Sequence, residues 1–357
     1  MNGNTILQVC HRFTPRLRSS FGHTVSCRKK CTVIDGKIVF ENVLNAVKKD
    51  VDAWVEQGNR RPCLTALTAG YDPSSMSYVK IKKKAAKFVG IHCDIVELTS
   101  GHNDDDIIRI IQRLNKSESV DGILVQLPLY PHNKELVVCD AVHHSKDVDG
   151  TSSSSMGNLC NNKDFFAPCT SLAVHYILDS IRGVDFCGKH AVVIGRSKHV
   201  GLPIAMLLHS SERKGDIRGF NMTTSIAHRH TPSKLLSELC ESADVLVSAA
   251  GVPGLVKSDM VKAGAVVIDV GITKVEDPKT GKCLFKGDVD FAEVKKKAMY
   301  LTSVPGGVGP VTVGMLMKNV LKAAKLHATT RDVATPLDDQ EQSDKSNYTA
   351  FSNKIEN

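Results

Sequence analysis

The feature that most constrains this chain is a regular alternation of short apolar strands with amphipathic helices, which occurs twice along the sequence. The predicted strands of the first series are 63–68, 95–98 and 122–127, and its predicted helices are 39–54, 77–89 and 104–114. The second series starts after Pro168, with predicted strands at 191–194, 223–228, 245–249 and 265–270 and helices at 172–181, 201–209 and 232–242. Such alternation is typical of parallel sheets covered by helices. The sequence therefore predicts an α/β protein of two domains.

The positive charge of the chain is concentrated at its N-terminus. The formal net charge is +8, but residues 1–34 hold six of the basic residues and no acidic one, so the remainder is close to neutral. Aromatic residues make up only 5% of the chain, and no basic stripe interleaved with them is evident. A nucleic acid is therefore not expected as a partner. No apolar run approaches the ~20 residues of a membrane span, so a membrane protein is not expected either.

The N-terminal segment has the composition of a mitochondrial presequence. It is rich in Arg and Ser, lacks acidic residues, and carries scattered apolar side chains instead of the compact apolar core of a secretory signal. We predict that residues 1–34 direct the protein to the mitochondrial matrix. The alternative is a basic tail without a targeting function. At the other end, residues 328–357 are polar and charged and are predicted to be a disordered tail.

The cysteines agree with a reducing compartment such as the matrix. Eleven cysteines are dispersed between Cys10 and Cys283, and none forms a C-x-x-C pair. The spacing that binds zinc is absent, and a disulfide framework is not expected in a chain of this length. Most of these residues are therefore predicted to be buried thiols.

A glycine-containing turn follows the first strand of the second series. Residues 192–203 read VVIGRSKHVGLP, in which Gly195 permits a tight turn and Gly201 lets the next helix start close to the strand. Backbone amides and the helix N-terminus would then face a pyrophosphate. The pattern is a variant of G-x-G-x-x-G with Ser197 at the middle glycine. An ordinary turn in an unrelated sheet is the alternative.

The second strand of this series ends in His228, Arg229 and His230, where a plain NAD-binding sheet has an acidic residue for the ribose. Together with Arg196, Arg229 would offer two guanidinium groups to a phosphate. That phosphate is either the 2′-phosphate of NADP or an inorganic ion. The alternative is a pair of solvent-facing arginines.

The first series carries a tyrosine and a lysine at helical spacing. Tyr78 and Lys82 lie four residues apart and so share one helix face. A lysine desolvated in a cleft beside a cationic substrate would be suited to proton transfer. Because other lysines flank Lys82, a solvated basic helix is the alternative.

Three further segments have the composition of ligand contacts. Asp149 precedes a Ser- and Gly-rich loop, where its carboxylate suits two adjacent N–H donors or caps a turn. Gln126 stands at the carboxyl end of a predicted strand, which is where α/β sheets bind ligands. The glycine-rich loop 304–310, VPGGVGP, would allow a flat ligand to lie against its backbone.

Taken together, these motifs resemble the bifunctional methylenetetrahydrofolate dehydrogenase/methenyltetrahydrofolate cyclohydrolase family. The resemblance runs from about Val39 to Lys325 and is carried by YVKIK, VQLPL, KDVDG, GRSKHVGLPIAMLLH and VPGGVGP. The N-terminal segment and residues 209–230 are most similar to the mitochondrial branch. The resemblance implies an αβα catalytic domain at 35–168, completed by a C-terminal helix at 303–327, and a Rossmann-like domain at 169–302. A cleft would separate the two, and the enzyme would be a homodimer.

The resemblance also implies the activity and its residues. Lys82, tuned by Gln126, and Asp149 would be catalytic; folate would contact Tyr78, Lys82, Gln126, Asp149, Pro305, Gly306 and Gly309. The dinucleotide would contact Thr170, Gly195, Arg196, Ser197, Arg229, Ile272 and Thr312. The reactions would be oxidation of 5,10-methylenetetrahydrofolate to 5,10-methenyltetrahydrofolate, then hydrolysis to 10-formyltetrahydrofolate.

Some positions depart from this family. The mitochondrial branch is expected to use NAD with magnesium and phosphate, held by two arginines and an aspartate. Arg196 and Arg229 match the arginines, whereas Asn221 stands at the expected aspartate, which leaves NADP open as the dinucleotide. An enzyme that retains only one of the two activities, and a nucleotide-binding sensor or scaffold without catalysis, are the alternatives. A sensor gives no reason to combine Tyr78, Lys82 and Gln126 in one chain.

Overall fold

The computed structural model describes residues 30–69, 73–161, 163, 166–211, 217–276 and 283–334. Residues from Cys31 onward belong to one compact unit. Two parallel sheets with helices packed against them form its framework, so the predicted α/β class is confirmed. No helix among the described residues combines the length and the apolar character that crossing a membrane requires.

The first half contains the elements α1 (Gly36–Glu56), β2 (Cys63–Thr68), α2 (Pro73–Val89), β3 (His92–Glu97), α3 (Asp104–Lys116), β4 (Gly122–Gln126), α4 (Glu135–Asp140) and α5 (Ser153–Cys160). These three strands form a sheet in the order β3-β2-β4, in which both neighbours of the central strand run parallel to it. Every residue of β2 is buried, as expected for a central parallel strand covered by helices on both faces. All six strands and helices that the sequence predicts for this half lie close to their predicted bounds, whereas α4 and α5 were not predicted.

The second half contains the elements β1 (Thr32–Ile34), α6 (Cys169–Asp179), β5 (His190–Ile194), α7 (Gly201–His209), β6 (Thr223–Ala227), α8 (Ser233–Ser242), β7 (Val245–Ser248), a 3-10 helix (Ser258–Met260), β8 (Val266–Asp269), α9 (Phe291–Val294) and β11 (Tyr300–Thr302). These six strands form one sheet in the order β1-β11-β8-β7-β5-β6. An antiparallel hairpin of β9 (Thr273–Glu276) and β10 (Cys283–Lys286) lies outside the sheet. Because β6 and β7 flank β5 on opposite sides, the strand order reverses there, and ligands bind at such reversal points in open α/β sheets.

The N-terminal boundary predicted from the sequence is wrong. Residues 1–34 were expected to be a presequence, but Thr32–Ile34 form β1 and pair in parallel with Tyr300–Thr302 of β11. This pairing places the strand at the edge of the second sheet, so the folded protein begins by about Cys31. Composition missed it because a three-residue strand has almost no periodicity and depends on its partner. Residues 1–29 lie outside the described part of the chain.

The long C-terminal helix α10 (Val308–Ala334) joins the two halves. It packs against α1, α2 and α6, and the Asn319 side chain donates a 2.8 Å hydrogen bond to the Val148 carbonyl. The helix is longer than the predicted 303–327, so the predicted tail at 328–357 starts too early. Residues 335–357 lie outside the described part.

Candidate active site

A cleft between the two halves contains a cavity of about 560 Å³. Residues from both halves line it. From the first half and α10 they include Tyr78, Lys82, Gln126, Gly309 and Thr312, and from the second half Thr170, Ser197, Gly251, Gly271, Ile272 and Phe285. Eight residues that the sequence assigned to folate or to the dinucleotide therefore share one cavity: Tyr78, Lys82, Gln126, Gly309, Thr170, Ser197, Ile272 and Thr312.

Lys82 and Gln126 form a direct side-chain pair in this cavity. Lys82 is buried on α2, and its Nζ donates a 2.8 Å hydrogen bond to Oε1 of Gln126 at the end of β4. The Gln126 Nε2 donates in turn to the Leu127 carbonyl at 2.8 Å. That second bond fixes the amide so that its oxygen faces the lysine. The arrangement supplies an oriented amine at the base of the cleft.

Asp149 is half-buried and does not line the cavity that holds the Lys82–Gln126 pair. Its segment runs parallel to β4 through the Ile123–Asp147 bridge, so Asp149 is directed toward the carboxyl edge where Gln126 ends β4. Burial raises the pKa of the Cys169 thiol well above its ordinary value; the charge of Asp149 adds to the shift and that of Lys82 opposes it. The structure therefore joins Lys82 and Gln126 directly, whereas Asp149 is linked to them only through its effect on Cys169.

Asp147, two residues earlier, has a different function. Its carboxylate is 2% exposed and accepts hydrogen bonds from donors on the following turn. The donors are the Gly150 amide (3.1 Å), the Thr151 amide (3.2 Å), the Ser152 amide (2.9 Å), the Ser152 hydroxyl (2.6 Å) and the Ser155 hydroxyl (2.6 Å). The turn-capping alternative considered for this motif thus describes Asp147. Asp149 accepts none of these hydrogen bonds; its side chain instead interacts with the Cys169 thiol.

Tyr78 lies between this cavity and an adjoining apolar cavity of about 350 Å³. The second cavity is lined by aliphatic and aromatic side chains and by the glycine-rich loop; its residues include Lys37, Phe40, Ile81, Phe285, Pro305, Gly306 and Gly309. Burial raises the pKa of the Tyr78 phenol, so the ring remains neutral. A flat, partly apolar ligand would find an aromatic ring and a backbone surface here.

The glycine turn lies at the point where the strand order reverses. Gly195 follows β5 with φ +122°, and a Cβ there would lie 2.3 Å from the Ala249 carbonyl oxygen after β7. A Cβ on Gly201 would lie 2.2 Å from the Gly195 carbonyl oxygen. Both positions therefore require glycine, which lets β5, β7 and the start of α7 approach each other closely. Ser197, in the turn, lines the cavity, whereas Gly195 does not.

The two arginines and Asn221 do not form one group. Arg196 follows β5 and Arg229 follows β6; both are exposed and neither lines the cavity. Asn221 precedes β6, and its carbonyl accepts from the Gly188 amide at the amino ends of the strands. Position 221 and Arg229 lie at opposite ends of β6, so Asn221 is not beside the two arginines within one chain.

The sequence analysis did not identify two buried carboxylates at the same edge of the second sheet. Asp269 ends β8, and Asp288 follows β10. Burial raises the pKa of Asp269 to about 6, with backbone hydrogen bonds opposing the shift. An acidic residue that ends an apolar strand, as in VVID, is a signal that a sequence reading can use.

The fold and this cleft define a class of protein: a two-domain α/β enzyme with a doubly wound nucleotide-binding half and a lysine–amide pair in the facing half. Comparison with known proteins gives the family. The tetrahydrofolate dehydrogenase/cyclohydrolase catalytic-domain model matches residues 34–149, and the NAD(P)-binding-domain model of the same family matches residues 168–328.

Individual relatives agree with these models. A chicken protein, the mitochondrial bifunctional methylenetetrahydrofolate dehydrogenase/cyclohydrolase, is 44% identical over 88% of this chain and 92% of its own. A solved silkworm 5,10-methylenetetrahydrofolate dehydrogenase is 43% identical with a TM-score of 0.78, covering 84% of this chain and 99% of that one. The Trypanosoma brucei dehydrogenase-cyclohydrolase, solved with NADP and an inhibitor, is 36% identical with a TM-score of 0.77, covering 86% and 99%. The chain belongs to the tetrahydrofolate dehydrogenase/cyclohydrolase family.

Proposed function

We propose that the protein oxidises 5,10-methylenetetrahydrofolate to 5,10-methenyltetrahydrofolate with NAD or NADP and then hydrolyses the product to 10-formyltetrahydrofolate. The observation that carries the proposal is the cavity that brings the Lys82–Gln126 pair together with Ser197, beside the carboxyl ends of the second sheet. A nucleotide-binding sensor or scaffold would have no use for an oriented amine at that place. Family membership supports the same activity.

In the oxidation, a hydride leaves the methylene carbon and the two adjacent folate nitrogens share the positive charge of the methenyl product. A dinucleotide held by Thr170, Ser197 and Thr312 would supply the hydride acceptor, its nicotinamide ring. The protein supplies position: Tyr78 packs against the folate, the 305–309 loop borders it, and Asp149 holds the pterin N–H groups. Holding two reactants in reacting geometry lowers the barrier without any proton transfer.

In the hydrolysis, water adds to the cationic carbon and one carbon–nitrogen bond of the ring opens. The water gives up both of its protons as its oxygen becomes the formyl oxygen: one proton goes to the departing nitrogen, and the other is released to solvent. Lys82 is placed to move these protons because its Nζ lies in the cavity and is oriented by the Gln126 oxygen 2.8 Å away.

The dinucleotide would contact Thr170, Ser197, Ile272 and Thr312, which line the cavity, and the amides of the turn at Gly195. The exposed guanidinium groups of Arg196 and Arg229 follow neighbouring parallel strands and suit a phosphate, either the 2′-phosphate of NADP or an inorganic ion. Asn221 does not fit as a magnesium ligand beside them, and no step is assigned to magnesium.

We further propose that the protein works in the mitochondrial matrix as a homodimer. The basic, acid-free N-terminal segment supports import, and the chicken relative is a mitochondrial enzyme. Because the folded unit begins by Cys31, a presequence would end before that residue. Fusion of residues 1–30 to a fluorescent protein should direct it to the matrix, and sedimentation should give twice the chain mass.

The activity is tested with purified protein from residue 30 onward. The formation of methenyltetrahydrofolate is followed with NAD and with NADP, each with and without magnesium and phosphate, and its hydrolysis is followed separately without dinucleotide. Both reactions should be catalysed. Catalysis of one reaction alone would favour the monofunctional alternative, and catalysis of neither, with dinucleotide still bound, would favour the sensor.

The same assay distinguishes the two uses of the arginines. If they bind the 2′-phosphate, NADP should be the better substrate and Arg229→Ala should raise its KM roughly tenfold. If they bind an inorganic ion, phosphate should stimulate the NAD-dependent rate and the substitution should abolish that stimulation. Lys234→Ala, an exposed residue on α8, serves as the matched control.

A further inference from the structure

Two buried carboxylates lie behind the loops that line the dinucleotide side of the cleft. Asp269 is 3% exposed and Asp288 is 0% exposed. Neither lines the cavity, so neither is available to touch a ligand. Burying a carboxylate is unfavourable unless hydrogen bonds replace its lost hydration, and the donors therefore indicate what each residue holds in place.

Asp288 organises the loop that follows β7. Its Oδ2 accepts from the Ser248 hydroxyl at 2.9 Å, the Ala250 amide at 2.7 Å and the Gly251 amide at 3.2 Å, and its Oδ1 accepts from the Val252 amide at 2.8 Å. Three amides in almost consecutive residues thus point inward to a single side chain. Ala249 and Gly251 of this loop line the cavity.

Asp269 organises the neighbouring loop in the same way. Its Oδ1 accepts from the Gly271 amide at 3.1 Å and from the Asp288 amide at 3.0 Å, and its Oδ2 accepts from the Val289 amide at 3.0 Å. The loop after β8 also lines the cavity, through Val270, Gly271 and Ile272. Asp269 therefore ties this loop to the segment that carries Asp288.

Close contacts make the two loops one unit. A Cβ on Gly271 would lie 2.2 Å from Oδ1 of Asp288, and a Cβ on Gly287 would lie 2.0 Å from Oδ2 of Asp269. The Thr273 hydroxyl donates to the Gly251 carbonyl at 3.1 Å, which links the loops directly. The glycines thus allow each carboxylate to approach the backbone that it holds.

We propose that Asp288 and Asp269 are positioning residues for the dehydrogenase reaction, which hold the loops 249–252 and 270–272 in the conformation that the dinucleotide requires. The inference rests on the proposed function. It follows from where the donors lie: the amides held by the carboxylates belong to the cavity wall on the dinucleotide side. The Lys82–Gln126 pair belongs to the other sheet and makes no contact with them among the hydrogen bonds of the described residues.

The test uses the two reactions of one enzyme. Hydrolysis of methenyltetrahydrofolate consumes no dinucleotide, so it reports on folding and on the folate side alone. Asp288→Asn keeps the shape of the side chain but turns an amide NH₂ toward backbone donors. We expect the KM for the dinucleotide to rise roughly tenfold, as the loss of hydrogen bonds to a charged acceptor implies. The kcat/KM of the hydrolysis should stay within about twofold.

Asp244→Asn is the matched control. Asp244 precedes β7 at the opposite edge of the same sheet, where it accepts from the His190 amide at 3.0 Å and the Lys262 ammonium at 2.6 Å. This substitution removes a hydrogen-bonded but less buried carboxylate from the same domain, and both reactions should keep their wild-type constants. An unchanged dinucleotide KM in Asp288→Asn would overturn the proposal, and so would an equal loss of both reactions, which indicates a purely structural residue.

Ser248→Ala covers the case in which Asp288→Asn does not fold. Ser248 is fully buried, and its replacement by alanine removes only one hydrogen-bond donor to Asp288. The dinucleotide KM should rise about threefold with hydrolysis unchanged; no change would contradict the inference. Wild-type protein without any dinucleotide-dependent oxidation would contradict the proposed function and this inference together, whereas an active wild type with insensitive variants would contradict the inference alone.

Discussion

The two sides of the cleft differ in the groups that they present: side chains on the folate side and largely backbone on the dinucleotide side. On the folate side, the chemistry is carried by side chains: Nζ of Lys82 on α2 lies 2.8 Å from Oε1 of Gln126 at the end of β4. On the dinucleotide side, much of the wall is backbone, shaped by Gly195 and held from behind by Asp269 and Asp288. The comparison teaches that the first side should be sensitive to the loss of functional groups and the second to changes in backbone conformation.

The largest effect is expected from Lys82→Met on the folate side. Methionine keeps the length and the apolar stem but cannot move protons, so hydrolysis of methenyltetrahydrofolate should fall about a thousandfold with the fold intact. Single-turnover hydrolysis and circular dichroism check this. Lys84→Met, an exposed residue on the same helix, is the control. Wild-type hydrolysis by Lys82→Met would show that side-chain chemistry does not define this side.

The next effect concerns the backbone of the dinucleotide side. Gly195→Ala adds a Cβ that would lie 2.3 Å from the Ala249 carbonyl oxygen, at a residue with φ +122°. We expect dehydrogenase kcat/KM to fall about a hundredfold, because strain and displacement both disturb the turn, while hydrolysis persists. Gly183→Ala, with φ +76° and no atom within 4 Å of the added Cβ, separates strain from displacement. Equal effects of the two substitutions would contradict the close-approach argument.

Asp147 and Asp149, two residues apart on the folate side, allow a structural and a ligand-binding function to be compared within one motif. Asp147→Asn should lower the free energy of unfolding by roughly 2–3 kcal/mol, because buried donors lose their acceptor. Asp149→Asn should leave that quantity nearly unchanged but raise the KM for the folate substrate about tenfold. Urea unfolding and steady-state kinetics on both variants give the result. A reversed pattern would exchange the assigned structural and binding functions.

The smallest effect is a pH dependence on the dinucleotide side. The folded-state pKa of Asp269 is raised from 3.8 to about 6, so the folded chain holds this proton more tightly than the unfolded chain does. The contribution of Asp269 to stability is therefore greatest below about pH 4 and decreases as the pH rises through about 6. The difference in unfolding free energy between wild type and Asp269→Asn, measured across this range, should follow that curve. A flat difference would refute the shift.

The fold was predictable where a segment carries its own signal. The strands Cys63–Thr68 and Gly122–Gln126 are short apolar runs, and the helix Gly201–His209 follows a recognisable glycine turn. The edge strand Thr32–Ile34 and the hairpin Thr273–Glu276 with Cys283–Lys286 were missed. Their formation depends on partners that are distant in sequence or on a register that short segments do not encode.

The candidate site, like the fold, has features that the sequence predicts and features that depend on tertiary contacts. By itself the sequence determined the residue types and their order: an amine at position 82, an amide at 126, a carboxylate at 149 and glycines at 195 and 201. Those are properties of single positions and of short spacings along one helix or one turn. Only the tertiary structure decided that Asp147 caps a turn while Asp149 does not, and that Asn221 lies at the far end of β6 from Arg229. Only the tertiary structure, too, showed that Asp269 and Asp288 accept hydrogen bonds from the backbone amides of the cavity wall. A hydrogen bond depends on which atoms the folded chain brings within about 3 Å of each other, and a local sequence pattern does not contain that distance.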